Sequence, residues 1–358
     1  MTKDTKLLKQ KREDAHKKAS ESGSPDDWRL YRSLRNQVTS NLRKDKQNWE
    51  LKQLDLEHQN SAGIWKTVKG WLGWGSSGTP TQLFWEGKIV TSPIGLAESM
   101  NSFFIDKISR LRSNIPLSRG DPVSKLREAM LGKNCSFQFQ EVKTEDVLNT
   151  IKNLNNSNST GIDYIDTRTL KGIADIVAPS MTHIINLSIQ SGIFPSAWKW
   201  AKVVPLLKST TADKMLPKSY RPVALLPILS KVLEKVLFRQ LVLYLEENNI
   251  VHPNLHGSRS GHDTSTALLQ LYDKWVQEME EDKIVGVLVC DQSAAFDLCD
   301  HSILLKKLGL MGLQEKSLNW VNSYLSQRKQ SCFIDGELSS PLDMLECGVP
   351  QGSCCTRD

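Results

Sequence analysis

Charged and polar side chains dominate the first 60 residues, and their sparse apolar partners recur at helical spacing from Tyr31 to Leu56. This predicts a solvated helical arm over residues 1–60, made basic at its start by Lys3, Lys6, Lys9, Lys11, Arg12, Lys17 and Lys18. Gly70 to Pro80, GWLGWGSSGTP, predicts a linker. Trp65, Trp71, Trp74 and Trp85 cluster around it as a small satellite core. Amphipathic helices are predicted over 94–111, over 144–154 with Thr144 as N-cap, and over 173–191, where Gly192 and Pro195 end the pattern. Another runs over 227–245, where Leu229, Leu233, Val236, Leu237, Leu241, Tyr244 and Leu245 share one side and read as core packing. Ala201 to Lys208 reads as a short strand ending in a cation.

The organising stretch is Ile284 to Asp300, IVGVLVCDQSAAFDLCD. Its continuous, β-branched opening, Ile284 to Cys290, predicts a strand buried on both faces, too short to cross a bilayer. Asp291 follows, where a chain leaving a sheet edge can present a carboxylate to a divalent metal. The ordinary alternative is a strand followed by a capping Asp, a common arrangement; Asp297 is expected to cap a helix over 301–308.

Composition narrows the classes. A chain of 358 residues accommodates two or three domains, and 46 Lys+Arg against 40 Asp+Glu is compatible with a polyanionic partner. The seven cysteines form no C-x-x-C pair, and Cys354 and Cys355 are adjacent, so reduced thiols in an intracellular protein are expected. No signal-peptide pattern or membrane span is present, and the N-x-[ST] matches at Asn155, Asn158 and Asn186 are read as accidental.

Three separated motifs change the picture: YRPVALLPILSKVLEK over 220–235, the CDQSAAFD stretch around Asp291, and GVPQGS over 348–353. In this order and spacing they resemble the reverse transcriptases of non-LTR retrotransposons, the LINE and jockey-like elements. YRSLRNQV near Tyr31 is similar to the family's connector, and the helix over 94–111 to its A-E-x-x-N-x-F-F helix. The loop NNSNSTGID over 155–163 stands where the family often has K-S-x-G-x-D and is a candidate template contact. LHGSRSGHDTST over 255–266 resembles the Q-H-G-F-R-x-G-x-S-T template turn, with Leu255 and Ser258 replacing the expected Gln and Phe. His256 and His262 lack metal-ligand spacing and are treated as non-ligands.

The resemblance implies an α+β right-hand polymerase. Its expected parts are a basic connector arm over 1–60, a helical N-terminal extension over 61–187, fingers over 188–283 and the first part of a palm over 284–358. It implies Asp291 as catalytic and metal-binding carboxylate for Mg2+ or Mn2+, with Lys208, Arg221, Phe296 and Gln351 binding nucleotide. Phe296 would lie under the sugar and exclude a 2′-hydroxyl, and Arg259, Gly257 and Gly261 would grip the template. Implied partners are an RNA template, a DNA primer, deoxynucleoside triphosphates and an element-encoded RNA-binding protein, with no membrane. The implied locations are a cytoplasmic ribonucleoprotein and the nucleus. The family's later A-D-D hairpin does not follow GVPQGS here. A catalytically incomplete chain with an incomplete metal site is therefore expected, the rival expectation being a non-catalytic RNA-binding remnant of a decayed element.

Overall fold

The computed structural model describes residues 2–56, 78–116, 120–209, 211–257, 259–292 and 294–349. Most of the expected linker, Trp65, Trp71, Trp74, Ser258 and Gln351 lie outside the described residues. The chain divides into two compact units, residues 1–77 and 78–358.

In the first unit the single expected arm is two helices, α1 (Lys3–Ser22) and α2 (Pro25–Leu56), packed as a hairpin. Gly23, at φ 66°, ends α1 and donates its N–H to Ala19 O at 3.0 Å, while Pro25 opens α2, so the break follows ordinary stop and start chemistry. Ala15, Ala19 and Val38 are buried, and the Thr2 amide donates to the Asp45 carboxylate at 2.7 Å. That contact joins positions 43 apart in sequence and fixes the hairpin's register.

In the second unit, a helical layer forms the larger core. Its helices are α5 (Thr144–Lys152), α7 (Ala174–Ser191), α8 (Ile228–Glu247) and α11 (Glu315–Leu325). They enclose Ile151, Ile185, Phe194, Leu233 and Leu237, with Trp320 and Tyr324 stacked at 5.7 Å. The apolar stripe expected over 227–245 is core. Preceding these helices are the hairpin β1 (Leu83–Trp85) and β2 (Lys88–Val90), then α3 (Pro93–Ser113) and the short α4 (Ser124–Ala129). The short α6 (Thr167–Gly172) leads into α7.

A mixed sheet forms the second layer. Strands β3 (Trp200–Leu207) and β4 (Tyr220–Leu225) pair antiparallel, and β3 also pairs in parallel with β5 (Lys329–Ile334), extended by β6 (Glu337–Leu338) and β7 (Leu342–Asp343). Strand alternation puts Val203, Leu207, Tyr220, Cys332 and Ile334 on one face, where they pack with Leu96, Ala97, Met100 and Phe104 of α3. Polar contacts reinforce this docking. Asn101, fully buried, donates to Gln330 O at 3.3 Å and Ser340 O at 3.0 Å, and accepts from Gln330 Nε2 at 3.0 Å. Glu98 accepts the Ser340 amide at 2.7 Å. The alanine, glutamate, asparagine and second phenylalanine of the A-E-x-x-N-x-F-F pattern are therefore the docking residues of α3.

Helices α9 (Thr264–Glu280) and α10 (His301–Leu310) flank the organising stretch. Here the structure departs from the sequence pattern. Residues 284–292 form no strand, and Ile284, Leu288 and Val289 are 100%, 88% and 85% exposed. A strand buried on both faces needs neighbours on both edges, and among the described residues none pairs with this run. Two expected caps also differ. Asp300, not Asp297, caps α10, and α5 begins at Thr144, with the Asp146 carboxylate accepting the preceding Lys143 amide at 3.2 Å. In each case the acid lies at the spacing that reaches the free amides of the first turn.

Asn101→Ala should leave two backbone carbonyls and the Gln330 amide short of partners. Urea unfolding of the full chain should show a loss of about 2–4 kcal/mol, whereas a change below about 0.5 kcal/mol would mean that the Asn101 hydrogen bonds do not hold α3 to the sheet.

Candidate nucleotide and template site

The β3–β4 hairpin closes tightly beneath its cations. The Lys208 amide donates to Ser219 O at 2.9 Å and its ammonium to Lys218 O at 2.6 Å. Arg221 pairs in register with Leu206 and is exposed. Burial, then the positive charges of Lys107 and Arg221, push the Lys208 ammonium below its ordinary pKa. A hairpin carrying cations that repel one another, without an ion pair for Lys208 or Arg221 among the described residues, is suited to an anion.

The glycine turn beginning at Gly348 is bound to the segment after Asp291. Val349 N donates to Phe296 O at 2.9 Å and Gly348 N to Cys299 O at 2.7 Å. Buried His301 places Nε2 at 2.7 Å from Gly348 O; a carbonyl can only accept, so that nitrogen carries the proton. Gly348 has φ +84°, and a Cβ there would stand 2.8 Å from Asp297 O, so glycine is required on both counts. Asp300 secures the other end: Oδ1 accepts from Ser302 N at 2.9 Å and Ile303 N at 3.1 Å, and Oδ2 from Arg112 at 3.1 Å. Bonding to the Ser302 side chain, the adjoining amides and the charge of Arg112 hold its carboxyl below the usual pKa.

These pieces meet. Pro222 of the hairpin, Asp297, Gly348 and Val349 line one cavity of about 60 Å³ together with Lys107 and Gln330. Phe296 is 52% exposed beside it in sequence, and Gln351 lies outside the described residues. Asp291 is exposed on the unpaired run and is not in the cavity wall. The template turn stands apart, near the end of α8. There Arg259 Nε lies 3.8 Å from Glu246, Gly261 has φ 72°, and the space beside Gly257 is open. His256 and His262 face each other at 5.2 Å, and His256 reaches Thr266 and Gln270 at 3.1 and 2.7 Å. Sequence reasoning did not single out Lys107 or Gln330; the A-E-x-x-N-x-F-F helix carried the signal, since its last turns lead from Asn101 to Lys107.

Residues 207–355 match the family of reverse transcriptases (RNA-dependent DNA polymerases), so the hairpin's end, Asp291 and the glycine turn all belong to a reverse transcriptase domain. The chain is 28% identical to the probable RNA-directed DNA polymerase from transposon BS of Drosophila melanogaster, over 61% of this chain and 24% of that protein. It is 29% identical to the RNA-directed DNA polymerase from mobile element jockey of the same fly, with the same coverage. With the putative 115 kDa protein in type-1 retrotransposable element R1DM it shares 29% identity over 57% of this chain and 19% of that one. This stretch is thus similar to the polymerases of such mobile elements, and the chain spans about a quarter of the length of the two fly polymerases.

Members of this family use Mg2+ or Mn2+. Among the described residues no three His, Cys, Asp or Glu side chains converge closely enough to hold a metal ion. Asp291 by itself does not make such a site.

Because the folded-state pKa of Asp300 is depressed, its contribution is present above the unfolded carboxylate pKa of about 3.9 and is lost as pH falls through the folded value. Asp300→Ala should cost about 1–2 kcal/mol at neutral pH. The gap between variant and parent should narrow in denaturation curves as pH is lowered beneath the ordinary carboxylate value of about 3.9; a gap independent of pH would assign the loss to packing.

Proposed function

We propose that this chain handles nucleotide and template in RNA-directed DNA synthesis. The observation that carries the reading is the convergence of Pro222 of the hairpin, Asp297 and the glycine turn, all in the matched range, with the end of α3 on one cavity. In the reaction a primer 3′-hydroxyl attacks the α-phosphate of a deoxynucleoside triphosphate, the bond to the β-phosphate breaks, and pyrophosphate leaves. Lys208 acts as a point charge and Arg221 as a bidentate fork on the triphosphate. Phe296 faces the sugar, Gln351 packs on the nascent pair, and Arg259 with Gly257 and Gly261 holds template backbone. Asp291 would offer one carboxylate to a divalent ion; among the described residues no further ligands converge with it.

The partners proposed are an RNA template, a DNA primer and an element-encoded RNA-binding protein, in a cytoplasmic ribonucleoprotein that reaches the nucleus. Among the described residues no helix is long and apolar enough to cross a membrane.

The test is deoxynucleotide incorporation on a primed RNA template with Mg2+ or Mn2+, beside equilibrium binding of the triphosphate. Asp291→Ala should abolish incorporation, and Arg221→Ala should weaken triphosphate binding about tenfold or more. Incorporation indifferent to Asp291, or the absence of both incorporation and triphosphate binding, overturns the reading.

Phe296→Val should raise ribonucleotide use far more than it lowers deoxynucleotide use, because a smaller side chain removes the clash with a 2′-hydroxyl. Equal falls in both would make Phe296 a packing residue.

A further inference from the structure

The face of the sheet turned away from α3 has a composition of its own. Alternation and register place Trp200, Lys202, Val204 and Leu206 of β3, Arg221, Val223 and Leu225 of β4, and Lys329, Ser331 and Phe333 of β5 on it. The three strands contain no acidic residue, while this face carries Lys202, Arg221 and Lys329; the one acid beside it is the exposed Asp343 of β7, 3.9 Å from Lys329. Val204, Val223 and Phe333 are half-buried and Leu206 is exposed, so the face is only partly covered.

Over it leans the loop that follows Gly161. Gly161 sits where a Cβ would strike the Leu226–Pro227 backbone at 2.7–2.9 Å, which docks the loop against the end of β4. Three residues on, Tyr164 is 66% exposed and has φ 56°, a left-handed conformation that a bulky aromatic rarely adopts. The Lys202 ammonium lies 5.0 Å from the Tyr164 ring centroid and 3.8 Å from that of Phe333. Lys202 itself is buried, and among the described residues no carboxylate pairs with it. A cation-backed, solvent-facing ring held at a conformational cost is a stacking platform, and the surrounding charge selects a polyanion.

We propose that Tyr164, with Lys202 beneath it, is a base-stacking station for single-stranded RNA on the open face of β3, β4 and β5. Naming that strand as the template rests on the polymerase reading; the binding does not. A base lies on the outer surface of the Tyr164 ring, and the flanking phosphates run toward Arg221 and Lys329.

The test is fluorescence anisotropy of a labelled single-stranded RNA 12-mer with the full chain at low salt, beside thermal denaturation. Tyr164→Ala should weaken binding by about fivefold or more, and Tyr164→Phe should keep it, because stacking needs the ring and not the hydroxyl. Tyr164→Gly should weaken binding equally while leaving the melting temperature unchanged or higher, since glycine accepts the positive φ without strain. Lys202→Met, which keeps the buried stem, should also lower affinity. The proposal fails if Tyr164→Ala binds like the parent, if Tyr164→Phe loses as much as Tyr164→Ala, if duplex RNA competes better than single-stranded RNA, or if the parent binds no RNA. Tyr164-dependent binding with neither incorporation nor triphosphate binding would overturn the polymerase reading alone. Incorporation with Tyr164-independent binding would overturn this proposal alone.

Discussion

The parallel pairing of β3 with β5 is the constraint on which the second unit depends. It joins Trp200–Val203 to Lys329–Cys332, segments separated by β4, the helices α8 to α11 and the organising stretch. Such a contact is entropically expensive to close and must be offset by what it buries. Here the return comes on the α3 face, where Val203, Cys332 and Ile334 are sealed and Asn101 satisfies backbone groups that the sheet leaves open. Once β5 is fixed, Met344 donates its amide to Arg328 O at 2.8 Å, and the chain from there to Cys347 and Gly348 is held against Asp300 and Asp297. Sheet closure and site assembly are one event.

The two faces of that sheet divide the labour. The inner face is apolar and takes its polar satisfaction from α3. The outer face of β3, β4 and β5 keeps three cations, of which Lys329 stands 3.9 Å from Asp343 of β7, and the exposed ring of Tyr164 beside it is held in an unfavourable backbone conformation. Such a residue persists only where its surroundings over-determine it. Gly161 supplies that restraint through contact with Leu226 and Pro227. A sheet that serves stability on one side and binding on the other can change its outer face without loosening its core.

Much of this was legible in the sequence. The long amphipathic helices, the strand ending at Lys208, the stop at Gly192 and the motif order all follow from periodicity and punctuation. Less legible was anything set by partners distant in sequence. Gln330 reads as an ordinary polar strand residue until Asn101 is placed against it, and Lys202 reads as a surface cation until Tyr164 and Phe333 enclose it. The hairpin break at Gly23 and Pro25 was written in the residues themselves, but sparse apolar positions gave no sign that the arm folds back on itself. The cap at Asp300 shows the narrower limit: two aspartates three apart both satisfy the local rule, and the tertiary tie to Arg112 favours one.

The apolar run from Ile284 to Cys290 raises a different point. Its composition states that it needs burial on two faces, but a pattern cannot say which strands supply it. The neighbouring α9 shows the same demand, with Leu268, Leu269, Tyr272 and Met279 all more than 60% exposed and no residue buried. This bears directly on Asp291. A carboxylate orients a reacting group only as well as its backbone is held, and sites need geometry fixed within about 0.5 Å. On an unpaired segment the Asp291 carboxylate is not held to one direction. Strand pairing along 284–290 would therefore do more than bury apolar surface: each ladder bond that fixes Cys290 also restricts where the Asp291 carboxylate can point. On the proposed polymerase reading, catalysis at Asp291 would in this sense be a folding property, governed by the same edge hydrogen bonds that would cover the exposed valines.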